Sequence, residues 1–183
     1  MRQLLDANRA GRDWRNARHS VFRDGSFGNG SAMRVGPLGA YLHDAPADEV
    51  VAQADVSAEI THSHPEGRAG AVAVALAAWL AARTRGAGLR TGGDGLPPDT
   101  PLSEAVVTLG NGSRISCPDT VPLALWLALH HLDGYERAVR RAIAACGDTD
   151  TTAAIVGSIV AAHAGPACIP QRWLAAVEPI PAG

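Results

Sequence analysis

The chain has 183 residues, 46% of them hydrophobic and 19% charged, with a net charge of -2. That balance describes a globular protein rather than a disordered one. It lacks the basic surplus that a nucleic-acid or anionic-membrane partner demands. Aromatics are only 4%, so Ala, Gly and Val must do most of the packing, which suits closely approaching helices. One domain over 1–183 is the expected organisation.

Residues 3–19 carry Leu4, Leu5, Ala10 and Trp14 among charges and read as a surface helix. The stretch RDGSFGNGS is a Gly-rich loop, and residues 31–43 read as a helix capped by Ser31, disturbed at Gly36 and Pro37. Ala47 to Ile60 places its apolar residues roughly on one face. Ser63 or His64 precedes Pro65, a good first-turn residue for a long helix through Arg83. Its apolar run, AGAVAVALAAWLAA, falls short of the roughly 20 residues a bilayer requires. It is expected to be a buried helix, with no membrane partner. The N-terminus MRQLLDANRAGRDW has no apolar core of the kind a signal peptide needs.

Residues 84–101 are rich in Gly and Pro and read as a loop. VVTLGNGSRIS, at 106–116, is compatible with a small hairpin around Gly110-Asn111-Gly112, because Asn-Gly suits a type I′ turn. Asp119 or Thr120 then opens a helix, with Pro122 in its first turn, that runs to His131. Tyr135, Ala138, Val139, Ala142, Ile143 and Cys146 form one stripe of an amphipathic helix. Gly147 ends it, and Asp148 begins a last helix to about Ala164. The fold class expected is all-α. The cysteines Cys117, Cys146 and Cys168 are odd in number and widely spaced, which argues against a disulfide framework and points to a reducing cytosol, a cytoplasmic location.

Three polar islands carry the chemistry. In ACGDTDTTAAIVG, Asp148 suits an N-cap, but a second acid at Asp150 with Thr149 and Thr151 exceeds what a cap needs. Carboxylate and hydroxyl oxygens so crowded suit a hard cation such as Mg²⁺ or Mn²⁺. The rival reading, an aspartate-nucleophile phosphatase loop, requires a preceding hydrophobic strand, and ERAVRRAIAACG has a helical period instead. In SFGNGSAMRVG, Gly28 and Gly30 permit close backbone approach, and amides leading into a helix suit an anion such as a phosphate; an ordinary tight turn is the plainer alternative. In THSHPEG, His62 and His64 lack the further His or Cys ligands of a zinc site, so a hydrogen-bonding His at a helix start is the modest reading.

Taken in order, GNGSAMRVGPLG, THSHPEGRAGAVAVALA, PLALWLALHH and CGDTDTTAAIVGSIVAAHAG resemble the ADP-ribosylglycohydrolase family over about residues 25–174. The resemblance implies a compact, orthogonal all-α bundle with divalent cations, Mg²⁺ or Mn²⁺, in a cleft. It implies Asp148, Asp150 and Thr151 as metal ligands. It sets Gly28, Asn29, Gly30, Ser31 and Met33 along ADP-ribose, with His62 nearby and His64 less securely placed. The family's other metal ligands belong to an N-terminal half with Gly-Asp-Ala-x-Gly and Thr-Asp-Asp segments, and neither occurs here. The expectation is therefore a fold shortened at its N-terminus, with half a metal site. Neither Glu66 nor Glu104 is supported by spacing as a replacement acid or base. The function implied is metal-assisted hydrolysis of the bond between ADP-ribose and a protein side chain or small molecule, with ADP-ribose or an ADP-ribosylated molecule as partner. The alternative is a non-catalytic ADP-ribose-binding or self-associating remnant, paired with itself or with a complementary chain.

Overall fold

The computed structural model describes residues 6, 9–11, 24–85 and 95–179. The helix expected over 3–19 lies almost wholly outside the described residues, as does the middle of the loop expected over 84–101. Among the described residues the fold is all-α. Helices α1 (Gly30–Tyr41), α2 (Ala47–Glu59), α3 (Pro65–Arg83), α4 (Leu102–Leu109), α5 (Cys117–Leu129), α6 (Tyr135–Ala144) and α7 (Thr149–Ala164) follow in order. A 3₁₀ turn at Pro166–Cys168 and a short α8 (Gln171–Leu174) complete them. No helix among the described residues is long and apolar enough to cross a membrane.

Helices α3 and α7 form the centre. The first packs on α1, α2, α5 and α7, and the second on α1, α3, α5 and α6. Val74 of α3, Leu123 and Leu127 of α5, and Ile155, Ile159 and Val160 of α7 are fully buried. Small residues set the helix spacing. Ala71, Ala75, Ala78 and Ala81 give α3 a smooth buried face. A Cβ at Gly36 of α1 would stand 2.1 Å from Ser158 Oγ of α7. Pro37 sits inside α1 without interrupting it, so the disturbance expected there does not occur. With Gly36 against Ser158 and Val35 fully buried, packing outweighs the hydrogen bond that Pro37 cannot donate.

Local chemistry sets several helix ends, and not always as expected. At α3, the His64 imidazole caps the first turn by accepting from the Glu66 amide at 3.1 Å, with Pro65 in the first turn. Ser31 does not cap α1. The helix begins one residue earlier, and the buried Ser31 hydroxyl donates to the Gly67 carbonyl of α3 at 2.9 Å. Helix α5 starts at Cys117, ahead of Asp119 and Thr120. Asp119 instead accepts from the Arg114 amide at 2.9 Å and stabilises the loop before the helix. The hairpin considered over 106–116 is absent. Val106 to Leu109 belong to α4, because Ala105 buries completely and the Thr108 hydroxyl folds back on the Glu104 carbonyl. On α6, Ala138, Val139 and Ala142 are buried, but Ile143 and Cys146 of the expected stripe are exposed.

Arg68 of α3 holds Asp55 of α2 through two side-chain hydrogen bonds, one of 2.6 Å. That bonding draws the Asp55 carboxyl below its ordinary range, against a smaller opposing effect of burial. A carboxyl lowered in the folded state stabilises above the unfolded carboxyl pKa, near 4, and loses that contribution as pH falls through the folded value. Both partners are partly exposed. Asp55→Asn is accordingly expected to cost under about 1 kcal/mol at pH 7 and less at pH 2, read by urea unfolding at both pH values.

Candidate functional site

Three loops meet where α1, α3 and α7 begin. The turn before α7 is made by Cys146 and Gly147, both left-handed, at φ 58° and 69°. A Cβ on Gly147 would stand 2.3 Å from the Asn111 carbonyl, so this turn requires glycine both for its φ and for room. The Asn111 carbonyl accepts from the Asp148 amide at 3.3 Å, and the Asn111 side chain donates to the Ala145 carbonyl at 3.1 Å. The 110–116 loop thus holds the start of α7 in place.

Asp148 occupies the N-cap position of α7, but its side chain makes no cap hydrogen bond. Its carboxylate instead accepts from Asn29 Nδ2 at 2.6 Å, a contact between residues 119 positions apart. The second Asn29 amide hydrogen reaches Thr120 Oγ1 at 2.9 Å. Asn29 and Thr120 are both buried. This amide is the link that sets the glycine-rich turn against the aspartate cluster.

Asp150 lies exposed one turn-step further on. Hydrogen bonding with Asp148, then with the Asp150 and Thr151 amides, holds its carboxyl below the ordinary range. Thr151 is buried, and its hydroxyl donates to the Met33 thioether at 3.5 Å. With its hydrogen spent on sulfur, Thr151 Oγ1 keeps oxygen lone pairs to offer. Asp148, Asp150 and Thr151 therefore make an all-oxygen set at a helix N-terminus, the donor chemistry of Mg²⁺ or Mn²⁺. It is a partial set: no cluster of three or more His, Cys, Asp or Glu suited to a metal occurs among the described residues.

His62 is buried against the turn from the other side. A Cβ on Gly28 or on Gly30 would stand 3.3 Å from His62 Nε2, so the two glycines leave the imidazole room to lie close on this backbone. Burial, reinforced by the neighbouring Arg34 guanidinium, pushes the His62 imidazolium down to about 4, and the ring is neutral at pH 7. His62 Nδ1 lies 2.7 Å from Thr61 Oγ1.

Gly28, Asn29, Gly30, Met33, His62, Asp148, Asp150 and Thr151 are thus gathered at one place. The Ser31 side chain is turned into the α1–α3 interface, and His64 serves as a cap. Three further contributors carried no sequence signal for this role. Thr120 anchors Asn29. Asn111 holds the α7 turn. The buried Cys117 thiol donates to the Gly28 carbonyl at 3.2 Å, and a Gly28–Ser116 backbone bridge lies beside it. Burial raises the Cys117 pKa, so the thiol stays protonated and structural.

The molecule is thus an all-α protein with an oxygen-rich acidic helix start apposed to a glycine turn and a neutral histidine. The ADP-ribosylglycohydrolase family matches residues 1–182, and the chain belongs to that family. An uncharacterized protein of Archaeoglobus fulgidus is 32% identical, over 79% of this chain and 52% of its own. ADP-ribosylhydrolase ARH3 of Bos taurus and that of Homo sapiens are each 29% identical, over 84% of this chain and 54% of theirs. The chain spans about half the length of the curated relatives it matches.

Proposed function

We propose that this chain supplies the ADP-ribose-binding and half of the metal-binding apparatus of an ADP-ribosylglycohydrolase. The observation that carries this reading is the Asn29–Asp148 hydrogen bond, which joins the anion-friendly turn to the acidic cluster. Asp148, Asp150 and Thr151 would hold Mg²⁺ or Mn²⁺, and such a cation, when bound, polarises ribose hydroxyls and lowers the pKa of water. The chain's own residues do the rest. The turn at Gly28, Asn29 and Gly30 would carry the diphosphate, with the Asn29 and Gly30 amides leading into α1 toward it; the Gly28 amide donates to Ser26 Oγ at 3.2 Å and shapes the turn. Asn29 orients the Asp148 carboxylate. His62, neutral, would make a polar contact to the ligand without adding charge, and Met33 is held beside the cluster by the Thr151 hydroxyl. The substrate class is an ADP-ribosylated protein side chain or small molecule.

A second reading has its own support. Only part of a metal-ligand set is found among the described residues, which favours ADP-ribose binding without turnover by this chain alone. One assay separates the two. Purified protein with Mg²⁺ is incubated with ADP-ribosylated protein, and free ADP-ribose is measured. Release by the wild type, reduced at least roughly a hundredfold in Asp150→Ala, establishes hydrolysis. Binding of ADP-ribose without release establishes the second reading. Neither binding nor release contradicts both.

A further inference from the structure

His62 does not stand alone at the turn. Arg34 Nη2 donates to Thr61 Oγ1 at 2.9 Å and to the Ser57 carbonyl at 2.8 Å. Thr61 Oγ1 in turn lies 2.7 Å from His62 Nδ1. The first member of this chain sets one of its two directions. A guanidinium has donors only, so Thr61 Oγ1 must accept from Arg34. The hydroxyl keeps its single hydrogen to donate, and His62 Nδ1, 2.7 Å away, is placed to accept it. A neutral imidazole whose Nδ1 accepts carries its proton on Nε2. Nε2 faces the Gly28–Gly30 backbone, 3.3 Å from where a Cβ on either glycine would stand. Burial first, and Arg34 second, keep the ring uncharged, so the donor persists at pH 7.

We infer that Arg34 and Thr61 are positioning residues that fix His62 as its Nε2–H tautomer, so that a neutral donor faces an acceptor oxygen held over the Gly28–Gly30 turn. The acceptor is a phosphate or ribose oxygen of ADP-ribose, and that part of the inference rests on the function proposed above. The relay lets the site recognise oxygen by geometry with a donor that adds no charge. Were the tautomer reversed, Nε2 would present a lone pair to an oxygen and repel it.

The test is ¹⁵N-detected long-range NMR of the histidine side chains in the full chain at pH 7, with ADP-ribose titration of the same samples. The wild type is expected to show His62 as the Nε2–H form. Thr61→Val keeps the shape and removes the hydroxyl. It is expected to give mixed tautomers and roughly 3- to 10-fold weaker ADP-ribose binding, the effect of one misdirected hydrogen bond. Thr61→Ser is expected to restore both. An Nδ1–H form in the wild type overturns the inference, as does a Thr61→Val protein with an unchanged tautomer. The Nε2–H form in a wild type that binds no ADP-ribose upholds the relay and overturns the functional reading.

Discussion

Asn29→Ala is expected to destabilise the protein by about 3 kcal/mol and to abolish detectable coupling between Mg²⁺ and ADP-ribose. The side chain is buried, and each of its two amide hydrogens is committed, one to Asp148 and one to Thr120. Truncation to Ala removes two hydrogen bonds, one of them to a charged group, and leaves buried Thr120 Oγ1 without its donor. A hydrogen bond to a charged group contributes roughly 1.5–3 kcal/mol and a neutral one about 1 kcal/mol. The Asp148 carboxylate would also lose the group that aims it. Urea unfolding measures the stability, and calorimetric titration measures the coupling. A loss below about 1 kcal/mol with coupling intact would show that the two loops are held together by something other than this amide.

The second large effect is expected at Gly39, toward the end of α1 away from the site at its start. A Cβ there would stand 2.1 Å from the Ala75 carbonyl oxygen and 2.8 Å from its carbon. Both are backbone atoms of α3, so no side-chain rotation relieves the clash, and the helices must separate. Ala75 is itself fully buried. Overpacking of this kind costs roughly 1–3 kcal/mol, with rigid backbone at the upper end. Gly39→Ala is therefore expected to lower Tm by roughly 6–12 °C in a chain of this size. Gly95→Ala, where nothing lies within 4 Å of the added carbon, is the control and should leave Tm within about 2 °C. An equal Tm in both variants would contradict the close packing of α1 on α3.

The helices were readable because each carries its own period. Apolar spacing marked the regions of α2 and α6, an apolar run marked α3, and Pro65, Gly147 and Asp148 marked boundaries that the structure keeps. The errors fall where a local signal lost to tertiary contact. Gly110-Asn111-Gly112 has hairpin chemistry, but Asn111 is spent on the backbone at Ala145 and Asp148, so the turn serves α7 instead of two strands. Ser31 has cap chemistry, but a buried carbonyl at Gly67 takes its hydroxyl.

The site shows the same division. Asp148, Asp150, Thr151, the glycine turn and His62 were each visible as unusual residues at helix starts. Their convergence was not, since nothing local in a sequence says that residues 29 and 148 touch. Thr120, Cys117 and Arg34 were invisible for a related reason: an isolated Thr, Cys or Arg in a helix has no pattern until the fold gives it a partner. Only the ordered resemblance to one family joined the islands before the structure did, and the family match upholds that assignment.

The central claim is that the aspartate cluster and the glycine turn work as one site. Isothermal titration of Mg²⁺ and ADP-ribose, separately and together, into the wild type and Asp148→Asn tests it most directly. Asn at 148 keeps an oxygen to accept from Asn29 and removes the charge a cation needs. The account predicts that each ligand tightens the other in the wild type, and that the coupling vanishes in Asp148→Asn while the fold survives. Equal, uncoupled binding in both proteins, or none in either, would contradict it and leave the two aspartates as the start of a helix and nothing more.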